Sequence, residues 1–227
     1  MISDTGRSWL RSSIGKKVLM AASGLVLVGF VVMHLAGNLL IFGGRDALNA
    51  YGVKLRDYGA LLWAARGVLI AAVVIHIITS IQLSLENRRA RPQPYARLDS
   101  DTTSLAARTM LLSGVLLLAY LVYHLLHLTF GVTDPVVFTA KDPLGRHDIY
   151  GMVVRGFRNP WISLAYLAGV GCVCLHLSHG IGSMAQTLGL NNERTIPIMT
   201  WTGRILSLLL FLGYAAIPVA VLAGAVR

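Results

Sequence analysis

The chain has 227 residues, 55% of them apolar and only 13% charged, with a net charge of +10. A soluble domain carries roughly 25% charged residues, so this composition excludes an ordinary soluble enzyme and reads as an integral membrane protein. The basic residues lie mostly outside the apolar runs, and no basic stretch is interleaved with aromatics; that pattern suits anionic headgroups and topology signals, not nucleic acid.

Five segments reach the length of about 20 apolar residues that a membrane span needs. They are predicted at about 17–43, 60–85, 108–131, 160–187 and 202–225. The expected fold is an all-α five-helix bundle, a single membrane domain over residues 1–227. The first apolar run is too long for a cleavable signal peptide and lacks a small-residue cleavage site. The stretch GGRDALNAYGVKLRDYG predicts a short interfacial helix. Residues 86–107, polar and with two prolines, read as a loop. The longest connection, 132–159, contains Asp134, Pro135, Asp142, Pro143, Gly145 and His147, the last expected in solvent. GLNNERTIPIM reads as a short connection. Cys172 and Cys174 are two apart on a helix and point about 200° away from each other, so they read as packing residues.

Lys and Arg near the spans set the orientation. One side holds Arg7, Arg11, Lys16, Lys17, Arg88, Arg89, Arg91, Arg97, Arg108, Arg194 and Arg204. The other holds Arg45, Lys54, Arg56, Lys141, Arg146, Arg155, Arg158 and Arg227. The denser side predicts a cytoplasmic amino terminus and an external carboxyl terminus.

Six of the seven histidines lie inside the spans: His34, His76, His124, His127, His176 and His179. An ionisable group at membrane depth costs about 2.5–3.5 kcal/mol on insertion scales and faces the bundle interior with a partner. At about 1.5 Å of rise per residue, His34 lies roughly 13 Å and His124 roughly 10 Å below the outer ends of their spans, while His76 and His176 lie roughly 25 Å down. The result is two layers, His34 with His124 and His76 with His176. Two stacked bis-histidine haems fit that pattern, with no open position on either iron, which favours electron transfer over oxygen chemistry.

Gly24, Gly29, Gly37, Ala64, Ala65, Gly67, Gly169, Gly171 and Gly180 make room for a flat macrocycle or for close helix packing. His124/His127 and His176/His179 have zinc-type spacing, but they fall in opposite layers and cannot form one four-histidine site. Arg66, about 10 Å below the outer end of the second span, is a candidate for neutralising a haem propionate or for snorkelling. Ser23, Ser80, Ser178, Ser183 and Gln186 lie toward the inner half, where back-bonding to the helix is the first expectation for the serines. Asn38, Asp46, Asn49 and Tyr51 gather at the outer rim, either lining a quinone pocket or capping the connecting helix. No convincing internal repeat stands out, which argues against a proton-coupled transporter.

Four stretches carry a resemblance: SSIGKKVLMAASGLVLVGFVVMHLAGNL around His34, WAARGVLIAAVVIHIITSIQLSLENRRAR around His76, YLVYHLLHL around His124 and LHLSHGIGSMAQTLGLNN around His176. In this order the chain resembles the cytochrome b membrane anchor of succinate dehydrogenase or fumarate reductase, the single-polypeptide, five-helix, diheme type.

That resemblance implies two b haems with His34, His76, His124 and His176 as axial ligands; the roles of His127 and His179 stay open. It implies a flavoprotein subunit with the dicarboxylate site, an iron–sulfur subunit on the cytoplasmic face, menaquinone as the usual acceptor, and a multi-pass location in the cytoplasmic membrane. The chain itself has no flavin fingerprint and no cluster-type cysteine set, so activity belongs to the complex. In some relatives a glutamate near the outer rim handles quinol protons; here the first connection offers only Asp46 and Asp57. The rival readings are a diheme subunit of another quinone-linked dehydrogenase, a histidine-relay transporter and a haem-free anchor.

Overall fold

The computed structural model describes residues 12–90, 109–190 and 192–227. Arg7, Arg11, Arg91, Arg97 and Arg108, used above for orientation, lie outside the described residues, as does most of the 86–107 connection.

The described residues are all-helical, and among them five helices are long and apolar enough to cross a membrane. Helix α1 spans Ser13–Asn38 and runs through a 3-10 turn, Leu39–Gly43, into α2, Gly44–Asp57. The others are α3 (Ala60–Ala90), α4 (Met110–His124, extended by a π turn over Leu125–Thr129), α5 (Pro135–Thr139), α6 (Ile149–Phe157), α7 (Pro160–Thr187) and α8 (Thr195–Leu222). The long helices are α1, α3, α4, α7 and α8. The end that carries α2, α5 and α6 is called outer below.

Local chemistry explains the boundaries. Asn159 caps α7 by accepting from Trp161 N at 3.0 Å, with Pro160 in the first turn, where a missing N–H costs nothing. Gly189, at φ +86°, ends the helix in a left-handed turn that other residues adopt only under strain. Helix α8 begins seven residues before the expected 202. Asn192 Oδ1 accepts from the N–H groups of Arg194 and Thr195, and Pro197 falls in the first turn, so half of the expected connection is helix. Helix α3 continues five residues past 85, through Arg88 and Arg89. The 132–159 connection contains two short helices capped by Asp134 and Asp148. His147, expected in solvent, is half-buried against Phe138, ring centres 5.1 Å apart.

The long helices wear their apolar side chains outward. Trp63 is 69% exposed, Ile70 65% and Leu112 60%, which suits contact with lipid and not water. Helix α1 packs on α3 and α4 on α7, and α7 joins α8 along its length. Neither α1 with α4 nor α3 with α7 is closely packed. The apolar core cluster lies at the outer end: Ile41, Leu48, Tyr150, Val154, Phe157, Tyr166, Ile217, Val221 and Val226.

A polar latch closes that end. Asn49, 1% exposed, donates from Nδ2 to Asp142 and to Asp148, 3.0 Å each, and accepts from Tyr150 N. Arg45 reaches Asp148 at 3.0 Å; Arg146 bridges Asp142 at 2.7 Å and Asp46 at 2.9 Å. The outer-rim residues Asp46 and Asn49 thus tie α2 to the long connection. At the opposite end Lys16 pairs with Glu86, joining α1 to α3.

The latch makes three outcomes testable. Replacing Asn49 by Ala is expected to destabilise the protein by roughly 2–4 kcal/mol, because three hydrogen bonds are lost where water does not reach; thermal melting in detergent reads this out. Asp46→Ala is expected to leave the melting temperature unchanged, since that carboxylate is 82% exposed. Burial pushes the Asp142 carboxyl up, but Arg146 and Asn49 outweigh it and hold its pKa at about 2, below the ordinary 3.8. A depressed carboxyl stabilises the fold above its unfolded pKa, so latch stability is expected to fall as pH drops from 3.8 through about 2, measured as acid-dependent melting.

Candidate functional site

Helices α1 and α4 bring His34 and His124 together with ring centres 6.0 Å apart and planes at 87°. Helices α3 and α7 bring His76 and His176 together at 6.3 Å and 65°. Each pair joins two helices that do not otherwise pack closely, so the imidazoles reach across a gap. Among the described residues no cluster of three or more metal-type side chains occurs; the interior histidines meet in twos.

The inner pair is held by serines. Ser113 Oγ lies 3.1 Å from His176 Nδ1 and also 3.1 Å from Met110 O, one turn back. A carbonyl can only accept, so both contacts are hydrogen bonds when the serine donates to Met110 O and its oxygen accepts from the imidazole. Nδ1 therefore carries the hydrogen, and Nε2 keeps its lone pair. His76 is treated the same way: its Nδ1 lies 3.2 Å from Met20 O and 3.4 Å from Ser23 Oγ, whose proton goes to Leu19 O at 2.7 Å. Fixing the tautomer through the second nitrogen is how proteins prepare a histidine to bind metal.

Ser23 and Ser113 expose a pattern the sequence reading missed. Ser23-Gly24, Phe30 and His34 stand in the same spacing as Ser113-Gly114, Tyr120 and His124. Each unit puts a serine and a glycine against an inner histidine: ideal Cβ atoms on Gly24 and Gly114 would stand 3.4 and 3.7 Å from Cε1 of His76 and His176. Three turns outward each unit presents an outer histidine preceded by an aromatic ring. The expectation of no internal repeat is corrected here: at the same spacing Met20, Leu27, Val32 and Leu35 also recur as Met110, Leu117, Val122 and Leu125, common apolar types that stand out little in an apolar span.

The outer pair is held differently. His34 stacks on Phe30 at 5.2 Å and lies beside Tyr214 at 6.3 Å. His124 is flanked by Tyr120 at 6.1 Å and Tyr166 at 5.9 Å. Its Nδ1 is buried without a hydrogen-bond partner.

The remaining expected residues lie elsewhere. His127 Nδ1 bonds to Tyr166 Oη at 2.9 Å. His179, half-buried one turn inward of His176, joins neither pair. Arg66 is exposed and stacks over Trp63 at 4.8 Å, on the outside of α3. Ser80 and Ser178 back-bond to His76 O and Leu175 O. Beside Gly29, Gly67 and Gly180 there is open space, whereas Gly37 is closed by Tyr51 and Gly169 by Tyr120.

The group expected from the sequence is haem, and these residues fit it. Two imidazoles on opposite sides of one metal ion, at about 2.0–2.1 Å per bond, place their ring centres roughly 6 Å apart. Packed aromatic rings also reach that separation, so spacing alone does not argue for a metal. The committed tautomers, the gaps between the helices and the orphaned His124 Nδ1, a rarity for a buried polar atom, argue further. Comparison with family models, curated proteins and solved structures returns no match.

The serine partners give a test. Ser113→Ala leaves His176 Nδ1–H without its acceptor; if haem fills the histidine pairs, the variant is expected to weaken its retention at the inner pair by about 10–100-fold, read as haem lost to excess apomyoglobin. Ser178→Ala, whose hydroxyl bonds only to its own helix, is expected to retain haem normally.

Proposed function

We propose that this chain is the cytochrome b membrane anchor of a succinate:quinone oxidoreductase, carrying two bis-histidine haems and passing electrons between an iron–sulfur subunit and menaquinone. The observation that carries the reading is the pair of histidine pairs, one above the other, on four membrane helices. Along α4, His124 lies eleven residues outward of Ser113, the partner of inner His176, so the two levels are separated by about 16 Å. The resemblance around His34, His76, His124 and His176 supplies the partner assignment.

Haem held by two imidazoles supplies reversible one-electron chemistry with no position for oxygen. The chain's own residues do the rest. His76 and His176 offer Nε2 lone pairs because Met20 O, Ser23 and Ser113 take up the Nδ1 hydrogens. The apolar exteriors of α1, α3, α4, α7 and α8 place both levels in lipid, where the quinone also resides. Lys16, Lys17, Arg88, Arg89 and Arg194 gather at the inner ends of the helices, the face assigned to the iron–sulfur and flavoprotein partners. Dicarboxylate chemistry belongs to those partners.

The repeat of Ser-Gly, aromatic and histidine favours one other reading, a transporter built from parallel halves; colourless purified protein would speak for it. Under the reading proposed here, His34→Ala and His76→Ala each lose one b haem, a different one in each case, and the double variant loses both. Tagged chain purified from native membranes brings down a flavoprotein and an iron–sulfur protein, and succinate reduces its haem. Single variants that keep both haems would contradict the ligand assignment.

A further inference from the structure

The inner histidines are fixed by hydrogen bonds, but His124 has none, so something else must set the plane of its ring. Tyr166 is 5% exposed and lies at the centre of an aromatic cage. Its ring meets His124 edge-on at 5.9 Å and 64°, Tyr120 at 5.5 Å and 85°, Tyr123 at 5.8 Å and 65°, and Phe157 at 4.8 Å and 78°. The cage is itself pinned: Tyr166 Oη bonds to the buried His127 Nδ1 at 2.9 Å, and Tyr123 stacks on that imidazole at 5.6 Å and 22°.

Three backbone features serve this arrangement. The π turn after His124, marked by Phe130 N donating to Leu125 O at 2.8 Å, alters the winding through His127, and such turns recur at functional sites. Gly156 leaves room for the His127 ring, since an ideal Cβ there would stand 3.0 Å from Cε1 and Nε2. Gly169 leaves room for Tyr120, whose ring a side chain at that position would overlap.

We propose that Tyr166, locked by His127, is the positioning residue of the outer pair: it holds the His124 ring nearly perpendicular to His34, and His127 serves as its anchor and not as a haem ligand. The proposal rests on the diheme reading above. In low-spin ferric haem, perpendicular axial imidazoles give the most anisotropic EPR signal, and the largest g value falls as the planes turn toward parallel. The angle of 87° assigns the outer site a strongly anisotropic signal.

The experiment is EPR of the oxidised, haem-loaded full chain in its membrane or complex, with haem counted per chain. The outer signal is identified as the one that His124→Ala removes. His127→Gln is expected to keep both haems and lower the largest g value of the outer signal alone. Tyr166→Leu is expected to lower it further, and Tyr166→Phe, which keeps the ring and loses the hydroxyl, to lie between wild type and Leu. Should Tyr166→Leu fail to fold, the Phe and His127→Gln variants carry the decision.

An outer signal unmoved in those variants, both signals moving alike, or a haem lost in His127→Gln would overturn the proposal. A wild-type chain without haem is a separate failure, that of the diheme reading itself.

Discussion

The hydrogen bond between His176 Nδ1 and Ser113 Oγ is the constraint on which the interior is organised. In the low-dielectric interior of a membrane bundle an unpaired polar group is costly, so partners for the buried imidazole nitrogens shape the packing around them. Ser113 and the Met20–Ser23 turn take one nitrogen of each inner histidine. They do so in a way that dictates which nitrogen keeps a lone pair, because the serine protons are already given to Met110 O and Leu19 O. The two rings meet between helices that do not otherwise pack closely. A bundle that only needed satisfied core histidines would close such gaps by direct helix contact, as α7 and α8 do.

The rest of the architecture keeps those gaps open and in register. Helices α1 with α3 and α4 with α7 form two similar halves, each contributing one outer and one inner histidine, and the histidine pairs run between halves. The contiguous apolar core and the Asn49 latch both lie at the outer end, so the bundle is fastened there and its midsection is left to what binds between the halves. The two levels differ in chemistry: hydrogen bonds orient the inner rings, aromatic packing the outer ones. Ligand orientation and surroundings tune a haem's electronics, so under the proposed diheme reading this difference gives one chain two unlike sites.

Much of this was legible in the sequence. Apolar run length predicts five spans, and α7 begins and ends where Asn159-Pro160 and Gly189 announce it. Helical rise alone sorts four histidines into two depths. What was not legible follows from physical causes. The start of α8 was obscured because Asn192, Thr195 and Pro197 have loop chemistry that also serves as a helix entrance. The repeat was obscured because many of its recurring positions are common apolar types that stand out little in an apolar span. Ser113 was not among the serines singled out; its eleven-residue distance from His124, three helical turns, was the signal that it faces the same interior at the inner level. Tyr166 drew no reading from the sequence, and its partner His127 sits in a π turn that no spacing rule predicts. Arg66 was assigned by depth along α3, but depth does not fix the helix face, and Trp63 holds it outside.

The central claim is that the histidine pairs hold haem. It is tested most directly by a pyridine-haemochrome count and a reduced-minus-oxidised visible spectrum of the purified full chain. The account predicts b-type haem at about two per chain. Well-folded protein with no haem would contradict it.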